Sequence, residues 1–308
     1  MSLKNIFSKP EYIDGIGNIY PIKLKYYDDF IECSHLLYIS KNHFEPNNIP
    51  LLELLFYSVE QFNLSKEDLI KKLEKLFSLV INKPIIYQEY ENYFWFQIID
   101  LVKKKFGDLI VLSLSHRDEN GNYYWLCQCD CGSPPKNILG DDLINGITNS
   151  CGCSKDINQN KDDIFDEKSI ISNHNYDNIR NIIMKQNLLF EQKVYKTELM
   201  NKWAEKAMKA KQKNAPNISL EDIITTVSVG CGKLFSDLEE YSIYQLYSDF
   251  FRLRKIMEHD SSVHFLCAGA TNLKLQDFAE SLNLYHNPYD DLFVSADKLT
   301  GLNKAIGK

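Results

Sequence analysis

The sequence predicts an α+β protein: a mostly helical body with β-hairpins towards its N-terminus, interrupted by a small β-rich module. Three observations carry this expectation. Apolar residues recur at helical spacing in Leu69, Ile70, Leu73, Leu76, Phe77 and Val80, and again in Ile243, Leu246, Phe250, Leu253 and Met257. Residues 85–99 and 106–129 are instead rich in Ile, Val, Tyr, Phe and Trp and are punctuated by turn residues. Five of the eight cysteines crowd into residues 127–153.

From the N-terminus, Tyr12 to Ile22 alternates about Gly15 and Gly17, which predicts a hairpin. No Lys-Ser/Thr follows those glycines, so they are not a phosphate loop. Asp28 is expected to cap a helix carrying Phe30, Leu37 and Ile39. Residues 42–50 read as a loop, with Pro46 and Pro50 stopping both flanks. Leu51 to Phe62 is strongly apolar and helical in pattern. Ser65 with Asp68 makes a cap for the helix that follows, and Pro84 ends it. These two helices are expected to pack as an antiparallel pair. Ile85 to Ile99 then reads as a hairpin turning at Glu91-Asn92.

A different segment begins at Phe106. Leu109 to Leu112 is a short strand, residues 118–122 are a hairpin turn, and Tyr123 to Cys129 is the returning strand. Gly132 to Pro135 is a knuckle-like turn, and Asp141 to Gly146 is one turn of helix. Residues 155–163 are polar and predict an exposed linker.

Helical patterning then returns. Asp177 is expected to cap a helix with Ile179, Ile182 and Ile183. A second helix runs from Thr197 to Lys213, with Leu199, Trp203, Ala207 and Ala210 on one face and lysines around the rest. Ser219 to Asp222 starts another. Ser242 to His259 is the longest, with an a/d-like seam of only about two heptads, which favours a partner within the chain. Val263 to Leu282 reads as a further helical region broken near Gly269, before a turn-like tail at 287–291. The resulting division is a body from 1–102, an inserted module from 103–156, and a helical continuation of the body from 157–308.

The chain has 308 residues, a net charge of −7 and 25% charged residues. That composition is ordinary for a soluble globular protein, and no run of 18 apolar residues suggests a membrane span. The negative balance argues against a general nucleic-acid binder. The first ten residues lack an apolar signal core, so a reducing cytoplasm is expected and secretion is not.

Within W-L-C-Q-C-D-C-G, and nineteen residues later C-G-C, the cysteines form two tight groups joined by a polar loop. Such groups suit a tetrahedral thiolate site for one structural Zn²⁺. Clustering of this kind does not resemble a disulfide framework. The expected ligands are Cys129, Cys131, Cys151 and Cys153. Cys127 lies two residues before Cys129, on the same face of a strand, and is an alternative ligand. A unit this small is expected to lack a sufficient apolar core, so that the metal staples it. The lone Cys33, Cys231 and Cys267 are expected to be small packing residues.

Of the seven histidines none sits in a metalloprotease pattern, and no nucleophile-elbow or Walker motif occurs. His116 is close to the cysteines in sequence, but four thiolates leave no open coordination position. The pairs Asp141/Asp142 and Asp290/Asp291 read as loop or helix-start charges. No enzyme is expected.

Two resemblances meet in this chain. Phe106-Gly107-Asp108-Leu109-Ile110-Val111-Leu112, Trp125 to Gly132, Leu143 to Gly146 and Ser150 to Cys153 resemble a small zinc-ribbon-like module of phage proteins, often found beside AP2-type or HNH-type DNA-acting domains. The resemblance implies help in DNA binding. No AP2 or HNH motif follows here, and residues 103–156 hold six Lys or Arg against seven Asp or Glu, a poor balance for competing with counterions on DNA.

The flanks, at Tyr12 to Gly17 with Tyr20-Pro21-Ile22, Ile182 to Asn187, Trp203 to Ala207, Thr225 to Ser228 and Phe265 to Ala270, are similar to tail assembly chaperones of long-tailed phages. That resemblance implies a non-enzymatic binder of the tape measure protein and tail-tube subunits, acting in the cytoplasm of an infected bacterium and able to self-associate. The insert at about 103–156 departs from that family. Two other readings stand beside it: a zinc-ribbon DNA-binding regulator, and a structural tail or baseplate component of the virion.

Overall fold

The computed structural model describes residues 3–39, 49–59, 63–91, 93–118, 120–153, 169–191, 197–214 (main chain only from 211) and 218–287. The expected loop at 42–50 is largely outside these residues. The polar linker at 155–163 and the Asp290/Asp291 pair lie wholly outside them.

In chain order the elements are α1 (Leu3–Ile6), β1 (Glu11–Ile13), β2 (Gly17–Ile19), α2 (Tyr27–Ser34), α3 (Leu51–Tyr57), α4 (Lys66–Ile81), β3 (Ile85–Tyr90), β4 (Tyr93–Ile98) and β5 (Lys105–Phe106). There follow β6 (Leu109–Arg117), β7 (Tyr123–Cys129), β8 (Lys136–Leu139), α5 (Gly140–Ile144), β9 (Ile170–Ile171), α6 (Tyr176–Gln186), α7 (Glu198–Asn214), α8 (Leu220–Cys231), α9 (Phe235–Leu238) and α10 (Ile243–Cys267). Helices and antiparallel sheets are both present, so the fold is α+β as expected. The chain divides into two compact units, one of Met1–Pro10, Tyr20–Ile49 and Arg180–Lys308, the other of Glu11–Ile19 and Pro50–Ile179.

Among the described residues, the second unit carries three sheets. The β1–β2 hairpin pairs Glu11 with Ile19. The second sheet has the order β3-β4-β9, with Ile85 opposite Ile98 and Phe96 opposite Ile171. Helix α4 starts where the sequence places it, because the Ser65 hydroxyl oxygen accepts the Asp68 N–H at 3.1 Å. Its apolar stripe, Leu69, Leu73, Leu76, Phe77 and Val80, is fully buried. Phe77 meets Phe96 and Tyr176 edge-on, with centroids 5.1 and 6.1 Å away.

The third sheet has the order β5-β6-β7-β8. Strand β7 alternates buried and half-buried along its whole length, with Tyr123, Trp125, Cys127 and Cys129 inward. Trp125, Cys127 and Cys129 join Ile99, Leu101, Phe106, Leu109, Val111 and Leu143 in one apolar cluster. The expectation of a coreless module is therefore overturned. The sheet packs around Trp125, at 1% exposure, in a core that includes Ile99 and Leu101 from just before the module.

In the first unit, α8 and α10 cross closely. A Cβ on Gly230 would stand 2.2 Å from Leu253 Cδ2, so only glycine allows this approach without moving Leu253. Ile223, Val227, Leu238, Ile243, Leu246 and Phe250 form the core there. Both helices begin with the capping boxes that Ser219-Asp222 and Ser242-Gln245 supply. The buried Arg180 donates from Nε to Leu37 O at 2.7 Å and from Nη2 to Ile39 O at 3.1 Å. Nη2 also reaches Glu191 Oε1 at 2.5 Å.

Several expectations need correction. Asp28 and Asp177 do not cap; each sits inside the first turn of its helix, where a carboxylate favours the positive end of the helix dipole. Helix α2 ends at Ser34, so Leu37 lies in a short 3₁₀ turn and Ile39 is extended. Residues 263–267 belong to α10 rather than to a separate helix. The break at Gly269 (φ +99) is real, but residues 270–282 are not helical. On α7, Leu199 and Trp203 are exposed while Ala204 is buried, so the face facing inward is not the expected one.

Candidate metal centre

Strand β7 delivers Cys129 at its last residue, buried at 4% exposure. The chain then reverses. Gly132 takes φ +81 and returns its N–H to Cys129 O at 3.0 Å, a turn that presents the exposed Cys131. Gln128 Nε2 donates to Ser133 O at 2.6 Å and to Cys129 O at 3.1 Å, which secures the turn. The other half comes from the loop after α5, where Gly152 at φ +93 separates Cys151 from Cys153.

The main chain of Asp108 ties the two halves together. Its carbonyl accepts the Asp130 N–H at 2.8 Å, and its own N–H donates to Asn149 O at 2.8 Å. The sheet edge thus sets the spacing of both cysteine loops before any metal is considered. Lys105 adds an ion pair to Asp130 at 2.6 Å, on the surface.

The sulfurs of Cys129, Cys131, Cys151 and Cys153 all lie within 4.8 Å of one another. Cys129 and Cys153 are 3.6 Å apart, and Cys131 and Cys151 are 3.3 Å apart. Neither distance is a disulfide, and all four thiols are free. A tetrahedron with metal–sulfur bonds of about 2.3 Å has edges of roughly 3.8 Å. The cluster fits that figure, so the four sulfurs lie where they could hold one metal ion.

Cys127 is not part of this group. It faces the same side of β7 as Cys129, as strand alternation requires, but lies two residues deeper. Its Sγ sits 3.5 Å from Trp125 O, inside the apolar cluster. Burial pushes its thiol up to about 11, the opposite of what a metal-binding thiolate needs. Cys151 and Cys153 behave differently. The Ser133 hydroxyl, then Cys153 and Cys131, bring Cys151 down to about 6. Cys153 is pushed up to about 12 by the sulfurs of Cys151, Cys131 and Cys129. Sulfurs this close share their protons, so the first thiolate forms easily and the last is opposed by its neighbours. A cation at the centre removes that opposition.

His116 is far from this centre. It pairs with Tyr124 at the other end of β6, seven residues or about 23 Å of strand from Leu109, the partner of Cys129. Its ring stacks on Tyr124 with centroids 4.8 Å apart. Asp141 and Asp142 occupy the first turn of α5.

Residues 209–283 match the family model described as the YomV second domain. Over 120 residues the chain is 26% identical to the SPbeta prophage-derived uncharacterized protein YomV of Bacillus subtilis (strain 168). The chain resembles a phage-derived protein. That alignment covers 39% of this chain and 50% of YomV, so the chain spans about half the length of this relative. The YomV second-domain match begins near the end of α7, covers α8 to α10, and leaves Cys129, Cys131, Cys151 and Cys153 outside it. No solved structure matches. Among the described residues, no helix is long and apolar enough to cross a membrane.

Proposed function

We propose that this is a non-enzymatic phage assembly protein: a tail assembly chaperone that binds the tape measure protein and tail-tube subunits in the host cytoplasm. It carries a structural zinc module built on Cys129, Cys131, Cys151 and Cys153. The observation that carries the zinc reading is the 3.3–3.6 Å spacing of the paired sulfurs. Four thiolates complete a tetrahedral shell and leave no place for substrate or water, which is the arrangement of a structural site. Zinc bound there would neutralise part of the thiolate charge and join the loop after β7 to the loop after α5.

The chaperone reading draws support from the first unit. Val229 is 86% exposed, and Leu234, Phe235, Met257 and Phe265 are all more than half exposed. Apolar side chains left on helices are the surface an amphipathic helical partner would use. Similarity to a prophage-derived protein supports the phage setting, and the chaperone role rests on the likeness of the flanks to tail assembly chaperones.

The test is co-expression with fragments of the tape measure protein of the same phage. The expected result is that the fragments stay soluble and co-purify with the chain. Unchanged aggregation would count against the reading. Salt-sensitive binding to duplex DNA would favour the regulator instead, and presence in purified virions would favour a structural tail component.

A further inference from the structure

A second site lies in the sheet-bearing unit, away from the cysteines. A cleft of about 560 Å³ opens between α3 and the β3–β4 hairpin. Its walls are the rings of Phe56, Tyr87 and Phe94, all half-buried. Phe56 and Phe94 have centroids 4.4 Å apart, and Tyr87 lies 6.0 and 6.1 Å from the two. Two carboxylates stand at the rim, Glu53 and Glu89, against one cation, Lys66. The Glu53 carboxylate accepts the Tyr57 hydroxyl at 3.0 Å.

Lys66 reports what this cleft attracts. Its ammonium reaches both oxygens of Glu89, at 3.0 and 2.9 Å, and lies 6.0 Å above the Tyr87 ring. It holds the Glu89 carboxyl below the usual carboxylate range. Lys66 is the first residue of α4 and is half-exposed, so its long side chain enters from the rim and does not fill the cleft. The ring surface that lines the cleft and the Glu53 carboxylate, which no lysine or arginine among the described residues pairs with, are left for a second positive group.

We propose that this cleft binds a basic side chain, arginine or lysine, presented by a protein partner. The aromatic rings stack on or face the cation, and Glu53 and Glu89 pair with its charge. Lys66 occupies the edge of the same site and competes with the incoming group. The inference does not depend on the metal centre or on the chaperone reading.

The full-length protein should be titrated with N-acetyl-arginine methylamide, N-acetyl-lysine methylamide and the uncharged N-acetyl-citrulline methylamide, followed by ligand-observed NMR. Both charged probes should bind saturably in the millimolar range, with citrulline at least about fivefold weaker. Tyr87→Leu should abolish binding, Glu89→Gln should weaken it, and Lys66→Met should strengthen it severalfold by removing the resident competitor. Equal binding of the citrulline probe would overturn the proposal. So would the absence of saturable binding to the native chain, including the case where binding appears only after Lys66→Met.

Discussion

Cys131 Sγ and Cys151 Sγ, twenty residues apart in the chain, lie 3.3 Å from each other. Main-chain hydrogen bonds through Asp108 bring the two loops to that spacing. The candidate metal centre therefore sits at the end of a sheet that has an apolar core around Trp125.

That placement separates Cys127 from its neighbours. Cys127→Ala should cost about 1 to 2 kcal/mol through lost packing beside Trp125 and leave the metal content unchanged. Cys131→Ser with Cys151→Ser should abolish metal binding. Denaturant unfolding and metal analysis of both variants check this pair of outcomes.

Chelation should loosen the cysteine loops without exposing Trp125, because nine buried residues hold that core. The expected outcome is faster amide exchange around residues 130–133 and 149–153, while in a Trp95→Phe/Trp203→Phe background, which leaves Trp125 as the single indole, the emission stays that of a buried ring. A red-shifted emission on chelation would show that the metal holds the whole sheet.

Gly140→Ala should be harmful although the residue starts a helix. A Cβ there would stand 2.9 Å from Trp125 Nε1 and 3.3 Å from the Tyr123 carbonyl oxygen. The indole is buried and the carbonyl belongs to a paired strand, so neither gives way easily. A loss of about 1 to 3 kcal/mol is expected, measurable by denaturant unfolding.

Arg180→Met should cost more, about 3 kcal/mol, because it leaves the Leu37 and Ile39 carbonyls without their buried donor. Thermal unfolding of the variant checks it.

Acid should weaken the first unit through Glu240. Hydrogen bonds from Lys23, at 2.5 Å, and from Lys25 hold its carboxyl below the usual carboxylate range. A depressed folded value means that the stabilisation is complete above the ordinary carboxylate pKa and is lost as pH falls through the lowered value. The side chain is half-exposed, so the effect is at most about 1 kcal/mol and is reduced by salt. Glu240→Gln should remove this part of the pH dependence, read from unfolding at pH 7 and pH 3.

Much of the architecture was legible in local chemistry. Ser65, Ser219 and Ser242 cap the helices that they precede, and the C-x-C spacing pointed to the thiols that converge. What was hidden depended on tertiary context. Strand β8 lies between the turn ending at Pro135 and the helical turn at 141, a stretch with no strand signal of its own, and its pairing with β7 makes it a strand. Helix α10 continues eight residues past His259, although its apolar seam ends earlier and Met257 is already exposed. Alternation placed Cys127 and Cys129 on one face but could not give depth along β7, and depth separates a packing residue from a member of the thiol group. The apolar core of the module was missed because Ile99, Leu101 and Leu143 lie outside the strands that carry the cysteines.

The most direct measurement of the central claim is X-ray absorption at the zinc edge on the purified full-length protein, together with metal content. The account predicts close to one zinc per chain in a shell of four sulfurs at about 2.3 Å. A shell containing nitrogen or oxygen, or a protein free of zinc when prepared under reducing, metal-replete conditions, would contradict it.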